Sequence, residues 1–313
     1  MEILDLTQAI ERGRVSRGLV FINSKPDLRS GKRDDFMFGN FYLEGRTVPF
    51  RIWDKGIYDI VIEYGTGIYV ADTVGSDFNG PYLTVRSIDV YPGNEVTHHD
   101  FLGGIPPTVL LDQLADIQTR LSALGVADKC WDLISLAIDH PSLEGRFLIE
   151  GAAIRHHDNI IGGLANHTFK MLRILMAILE NNPALKASAD LLTFSILMHD
   201  VGKIFEYRDL DVAEFWFANH RVRGIEFLTE IRDEILSRYD ENFYRQTQSV
   251  IAGHHGQYGD RPTSVAATIV HYIDLLESQT TELVDEQANS PGDKIRHPDF
   301  GYLRDIPLSE NRK

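Results

Sequence analysis

The pattern of apolar and polar positions divides this chain into two parts with different periodicities. Between Val15 and Asp89, short β-branched and aromatic stretches alternate with turn-rich breaks, a pattern typical of strands. From Pro107 onward, apolar residues recur every three or four positions, as in VLLDQLADIQTRLSAL, which is typical of helices. The pattern therefore predicts two domains, a small all-β domain followed by an all-α domain.

Each part can be divided further into predicted elements. Five stretches predict a small β-barrel: RGLVFI, DDFMFGNFYL, RTVPFRIW, GIYVADTV and PYLTVRSIDV. The main helices are predicted at Leu164–Leu179, Asp190–Met198, Asn219–Tyr239, Glu241–Ala252 and Ser264–Glu277. We expect domain boundaries at 1–95 for the barrel, 96–145 for a helical connector, 146–285 for the helical domain and 286–313 for a polar tail.

Length, charge and cysteine content limit the class of protein. The 313 residues, 43% of them hydrophobic, are sufficient for two cores. A formal net charge of −15 argues against a protein that coats nucleic acid through a general positive field, so any such binding needs local basic patches. The single cysteine, Cys130, lies in an apolar stretch and is expected in the core. With no apolar stretch long enough for a membrane span and no secretion signal, we expect a cytoplasmic protein without a membrane partner.

The strongest chemical signal is the pair His199-Asp200. His-Asp occurs three times in the chain, but this copy alone ends an apolar helical run, LLTFSILM, and is followed by Val-Gly-Lys. An imidazole and a carboxylate at a buried helix end are costly unless they find partners, and a divalent cation is a suitable partner. Imidazole and carboxylate ligands suit Mn, Fe, Zn, Co or Ni, and a bridging aspartate also accepts Mg.

Further candidate ligands lie at the ends of other predicted helices. Any one of them alone could be a structural or surface residue, but as an ordered set they indicate a metal site: His167, His220, His254, His255 and Asp274. Other residues have two readings, as substrate contacts or as ordinary surface groups: His157, Lys203, Arg221 and Arg223. His271 is either a partner behind a ligand or a packed core histidine.

The motifs GGLANH, HDVGK, NH, HHG and HYID, in that order, resemble those of the HD-domain metal phosphohydrolases. The resemblance implies that one metal ion is held by His167, His199, Asp200 and Asp274. It implies a second ion, bridged by Asp200 and held by His220, His254 and His255. Asp200 and Lys203 would be the catalytic residues, and a metal pair of this kind activates water and stabilises charge on phosphoryl oxygens.

The N-terminal strands fit an OB-fold, a Greek-key barrel that binds single strands through aromatic stacking and a positive groove. Its candidate contacts are Arg29, Lys32, Arg33, Phe41 and Trp53. A barrel followed by an HD domain resembles the YhaM-type 3′→5′ exoribonucleases. That resemblance implies manganese-dependent release of 5′-mononucleotides from single-stranded nucleic acid, with RNA favoured over DNA and Mg, Co, Fe, Ni or Zn as alternative metals.

Two other functions remain open at this point, as does a homo-oligomeric state. The chain could be an HD phosphodiesterase acting on free or cyclic nucleotides. It could also be a non-catalytic RNA-binding protein with a structural metal or an empty site.

Overall fold

The computed structural model describes residues 1–31, 35–44, 46–78, 80–152, 160–208, 210–212, 218–256, 259–289, 294–297 and 300–308. The chain divides into two compact units, Met1–Gly104 and Ile105–Lys313. Among the described residues, no helix is both long and apolar enough to cross a membrane.

The first unit is rich in strands and carries three short helices. Its strands are β1 (Val15–Ile22), β2 (Asp27–Ser30), β3 (Asp35–Leu43), β4 (Arg46–Ile52), β5 (Gly67–Asp77) and β6 (Pro81–Val90). Its helices are α1 (Leu6–Ala9), α2 (Lys55–Tyr64) and α3 (His99–Leu102). The five predicted stretches correspond to β1, β3, β4, β5 and β6, whereas β2 and α2 were not predicted.

Five of these strands close into a ring. β1 pairs antiparallel with both β3 and β5, β5 pairs antiparallel with β6, β6 pairs parallel with β4, and β4 pairs antiparallel with β3. β2 pairs with β3 outside this ring and is exposed along its whole length. Because β2 has no buried face, it lacks the apolar alternation by which a strand is predicted.

The interior of the ring is filled by alternate side chains of its strands. Phe41 of β3 and Phe50 of β4 are fully buried and stack with their ring centroids 4.3 Å apart. A Cβ at Gly39 would lie 2.6 Å from the Phe50 ring, so glycine makes room for this stack. The prediction that Phe41 contacts substrate is therefore wrong, because its ring is enclosed in the core.

The second unit is helical. Its helices are α4 (Pro107–Ala123), α5 (Asp128–Ile138), α6 (Gly163–Asn181), α7 (Ala189–Met198), α8 (Lys203–Glu206), α9 (His220–Glu230), α10 (Arg232–Arg238), α11 (Glu241–Gly253) and α12 (Val265–Asn289). Two short strand pairs accompany them, β7 (Tyr207–Arg208) with β8 (Asp211–Val212) and β9 (Lys294–His297) with β10 (Gly301–Arg304). Short 3₁₀ turns lie at Pro141–Leu143, Arg146–Leu148 and Pro183–Ser188.

Two predicted helices differ from the observed ones. The stretch predicted as one helix from Asn219 to Tyr239 is interrupted at Ile231. The acidic residues Asp233 and Glu234 lie in the first turn of the next helix, where negative charge stabilises the N-terminus. α12 runs beyond its predicted end at Glu277, because the polar residues that follow include good helix formers. Periodicity identified the helices, but not their ends.

Candidate metal centre

Helix α7 explains why polar groups lie at the centre of the second unit. Every residue of α7 except Asp190 is buried, so the helix runs through the core with apolar side chains on all sides. His199 and Asp200 follow directly at its C-terminal end and are buried as well. The sequence of α7 thus places an imidazole and a carboxylate in the interior, where each must find a partner.

The predicted ligands come together from helices α6, α9 and α12 and from the turns that follow α7 and α11. Their potential ligand atoms form two groups, each with all atoms within 4.8 Å of one another: Asp200, His220, His254 and His255 in one, and His167, His199 and Asp274 in the other. We call these the first and the second ligand group. Every metal ligand predicted from the sequence belongs to one of them.

Asp200 lies between the two groups, with one carboxylate oxygen facing each. Its Oδ1 is 3.4 Å from Nε2 of His254 and 3.7 Å from Nε2 of His220, both in the first group. Its Oδ2 is 3.2 Å from Nε2 of His199 and 3.9 Å from Nε2 of His167, both in the second group. A carboxylate in this position could help to hold a cation in either group.

The histidine rings are held so that Nε2 faces inward. Nδ1 of His199 lies 2.6 Å from the carbonyl oxygen of Ile196, and Nδ1 of His254 lies 2.8 Å from that of Ile251. A neutral imidazole that donates from Nδ1 keeps a lone pair on Nε2.

Within the described part of the chain, three of the inward-facing atoms are buried without a hydrogen-bond partner: His199 Nε2, His254 Nε2 and Asp200 Oδ1. Leaving buried polar atoms unsatisfied costs about 1–3 kcal/mol each. Divalent cations held by the two ligand groups would satisfy all three atoms, so the residues fit such ions.

The protonation states of two histidines in the first group favour metal binding. Burial lowers the pKa of His254, and burial together with the neighbouring His254 lowers the pKa of His255 to about 3. Both imidazoles are therefore neutral near pH 7, which is the form that binds metals.

The second group holds a proton. Burial alone would lower the pKa of His167, but hydrogen bonds to Asp274 and Glu277 outweigh it and raise that pKa to about 10. An ion that binds His167 must therefore displace this proton.

Lys203 lies at the centre of the site. Its Nζ is 2.6 Å from Asp200 Oδ2, and both side chains are largely buried. Burial would lower the pKa of Lys203, but the Asp200 charge raises it, so the ammonium group stays charged. Burial would raise the pKa of Asp200, but Lys203 and His199 hold it well below its usual range. An ionised carboxylate, from Asp200, and an ammonium group, from Lys203, are therefore both present at this position.

Two glutamates that the sequence analysis did not single out contact the ligands from outside. Glu206 Oε2 lies 2.8 Å from Nδ1 of His220, and Glu277 Oε2 lies 2.5 Å from Nδ1 of His167. Helical spacing was a usable signal for Glu277, which follows Asp274 by three positions and so shares its face. His271, for which two readings were open, lies behind a ligand, with its Nδ1 2.6 Å from the carbonyl oxygen of His254.

The predicted substrate contacts are distributed differently. Arg221 donates to the Ala252 carbonyl and to Asp260, and Arg223 pairs with Glu226, which matches the reading of an ion-paired surface. Arg29 lies over the ring of Phe38 in the first unit, and Trp53 is 44% exposed there. His157, Lys32 and Arg33 lie outside the described residues.

Comparison with a family profile matches part of the helical unit. The family profile described as HD domain matches residues 164–279. Over 136 residues the chain is 27% identical to a dihydroneopterin 2′,3′-cyclic phosphate phosphodiesterase of Methanocaldococcus jannaschii, covering 42% of this chain and 53% of that protein. Over 135 residues it is 32% identical to the 3′-5′ exoribonuclease YhaM of Listeria welshimeri, covering 41% of this chain and 42% of that protein.

The YhaM protein of Bacillus subtilis is 29% identical over 144 residues, covering 44% of this chain and 45% of that protein. The chain thus spans about half the length, or less, of these relatives. No solved structure matches. Residues 164–279, which match the HD domain profile, contain every member of the two ligand groups, and over part of its length the chain is similar to YhaM exoribonucleases.

Proposed function

We propose that this chain is a divalent-metal-dependent phosphodiesterase that removes 5′-mononucleotides from the 3′ end of single-stranded RNA or DNA, with RNA preferred. The observation that carries the proposal is the pair of ligand groups around Asp200, with buried imidazole and carboxylate atoms that have no hydrogen-bond partner among the described residues. The likeness to YhaM proteins supports an oligonucleotide as substrate.

The ligand groups would hold two divalent ions, manganese being the favoured metal. Such ions supply Lewis-acid chemistry, since they make water a stronger acid and stabilise negative charge on phosphoryl oxygens. In this account Asp200 links the two groups, and Lys203, already charged beside it, offers an ammonium group to a phosphate oxygen.

The first unit supports a strand-binding role. Along the ring the spatial order is β5, β1, β3, β4. β5, the fourth ring strand in chain order, therefore lies beside β1, the first, which is the Greek-key arrangement. We therefore interpret the five-stranded ring as an OB-type barrel, a fold that binds oligonucleotides.

The outer face of β3, β4 and β6 carries aromatic and arginine side chains. Arg51 lies over the ring of Tyr82, at 4.0 Å, and the rings of Phe36 and Trp53 are 4.6 Å apart. Of these rings, that of Trp53 is 44% exposed, whereas that of Tyr82 is buried. An exposed aromatic ring stacks on bases of any sequence, and arginine adds attraction to the phosphates. This face is our candidate contact for a single strand.

Single-stranded oligonucleotides labelled at either end test the proposal. With Mn²⁺, a 3′ label should appear at once in mononucleotide, while a 5′ label should remain on chains that shorten progressively. Asp200→Asn should abolish both patterns. The proposal would be contradicted if metal-bound protein released no mononucleotide, or if the 5′ label were released first.

A small cyclic phosphoester is the second candidate substrate, because one relative is described as a cyclic phosphate phosphodiesterase. The substitution Trp53→Ala distinguishes an oligonucleotide substrate from a small cyclic phosphoester. If the substrate is a single strand bound by the first unit, kcat/KM of the variant falls for oligonucleotides and stays unchanged for a 2′,3′-cyclic nucleotide, relative to the wild type. An equal kcat/KM for oligonucleotides in the variant and the wild type would favour the small substrate.

A further inference from the structure

Two glutamates outside the ligand set each contact one candidate ligand, and the two ligands belong to different groups. Glu206 accepts a hydrogen bond from the main-chain nitrogen of His220 at 3.0 Å and lies 2.8 Å from its Nδ1. Glu277 lies 2.5 Å from Nδ1 of His167. Each glutamate therefore stands behind a single ring, on the side away from the centre.

The other oriented rings are held differently. Nδ1 of His199 and Nδ1 of His254 face main-chain carbonyl oxygens three residues earlier in the chain. Each ligand group thus combines one imidazole backed by a carbonyl with one backed by a carboxylate. A carboxylate behind a ligating imidazole fixes the ring and makes it a stronger donor to a metal.

Both glutamates are themselves held in place. The second oxygen of Glu277, Oε1, is 2.9 Å from Nζ of Lys170 and accepts from the hydroxyl of Thr281 at 2.7 Å. Glu206 contacts the ring and the main chain of His220 with the same oxygen, so it fixes both the side chain and the start of α9. Neither ring can turn without breaking these contacts.

We propose that Glu206 and Glu277 are positioning residues for two different metal ions. Glu206 sets the affinity of the ion held by the first ligand group, through His220. Glu277 sets the affinity of the ion held by the second ligand group, through His167. This assignment rests on the metal centre of the proposed function, but not on its substrate.

The test is a titration of full-length, chelator-stripped protein with Mn²⁺, in which free Mn²⁺ is followed by electron paramagnetic resonance. The wild type should give two dissociation constants. Glu206→Ala and Glu277→Ala should each raise a different one of them by about 10–100-fold, the usual effect of removing a carboxylate behind a ligand. Glu→Gln at either position keeps an acceptor and should restore part of the affinity.

Two controls separate positioning from general damage. Glu226→Ala removes a glutamate of α9 that pairs with Arg223 on the surface, and it should leave both constants unchanged. The melting temperature of each metal-free variant reports whether the fold is intact.

A background variant identifies which ion responds. His255→Ala weakens the first ligand group, so the ion that still binds is the one in the second group. The affinity of that ion should fall with Glu277→Ala and should be unaffected by Glu206→Ala. Both glutamate variants shifting the same constant, or behaving like Glu226→Ala, would overturn the inference while leaving the proposed function intact. A wild type that binds no divalent ion would overturn both.

Discussion

Gly202 is the position where a single methyl group should disturb the metal centre most predictably. It lies in the turn between Asp200 and α8, with φ −64° and ψ −19°, a conformation that alanine adopts without strain. A Cβ there would lie 1.8 Å from the carbonyl oxygen of His220 and 2.6 Å from the main-chain nitrogen of Gly224. Gly202→Ala is therefore a purely steric perturbation.

The magnitude follows from what the methyl group meets. The 1.8 Å approach is about 1.6 Å short of an ordinary contact of 3.4 Å, and the atoms in the way are backbone, so α9 itself must move. Overpacking of this kind costs about 1–3 kcal/mol. For a unit of this size, about 3 kcal/mol corresponds to a fall in melting temperature of roughly 6–12 °C. The same movement displaces His220, so metal affinity should fall as well.

Gly224→Ala is the matched control, since it lies in the same contact between α8 and α9. Its nearest obstacle is a side-chain methyl group of Ile251 at 3.2 Å, which can yield. Thermal unfolding with chelator and a Mn²⁺ titration of both variants provide the assay. If Gly202→Ala melted and bound metal like the wild type, or no worse than Gly224→Ala, the described packing of α8 against α9 would be refuted.

Three further outcomes are expected. Because the folded-state pKa of His167 is raised to about 10 from 6.5, the contribution of its protonated form to the stability of metal-free protein should be fully present below pH 6.5 and should be lost as the pH rises from 6.5 through about 10; a melting temperature that rose between these two pH values with chelator present would contradict this. Since burial raises the pKa of the Cys130 thiol to about 12, iodoacetamide at pH 8 should alkylate it only after unfolding, and rapid labelling of native protein would place that thiol at the surface. Trp53→Ala should weaken binding of single-stranded RNA by about 1–3 kcal/mol, whereas Tyr302→Ala, which removes an exposed ring of β10, should not; equal losses would show that Trp53 has no special role.

The members of the two ligand groups could be predicted from the sequence because each lies in a short motif with its own local context. His199 and Asp200 end an apolar run, and that run proved to be a helix buried on all sides. The strands of the first unit were predictable for a similar reason, since β3 alternates between buried and partly exposed residues. Local periodicity therefore predicted the elements, and short motifs predicted the residues of the two ligand groups.

Contacts between distant parts of the chain could not be predicted in this way. Glu277 and His167 are 110 residues apart, and no local pattern pairs them. Phe41 and Trp53 are both aromatic residues of the strand region, but one is fully buried and the other is exposed. Which side of a strand faces the core depends on the closure of the ring, a property of the whole unit.

The most direct test of the account is the number of Mn²⁺ ions bound per chain by the wild type and by Asp200→Asn, measured on chelator-stripped protein with a confirmed fold. Because the two oxygens of Asp200 face the two ligand groups, the account predicts two ions for the wild type and weakened binding of both in the variant. Equal binding by the two proteins, or no stoichiometric binding by the wild type, would contradict it.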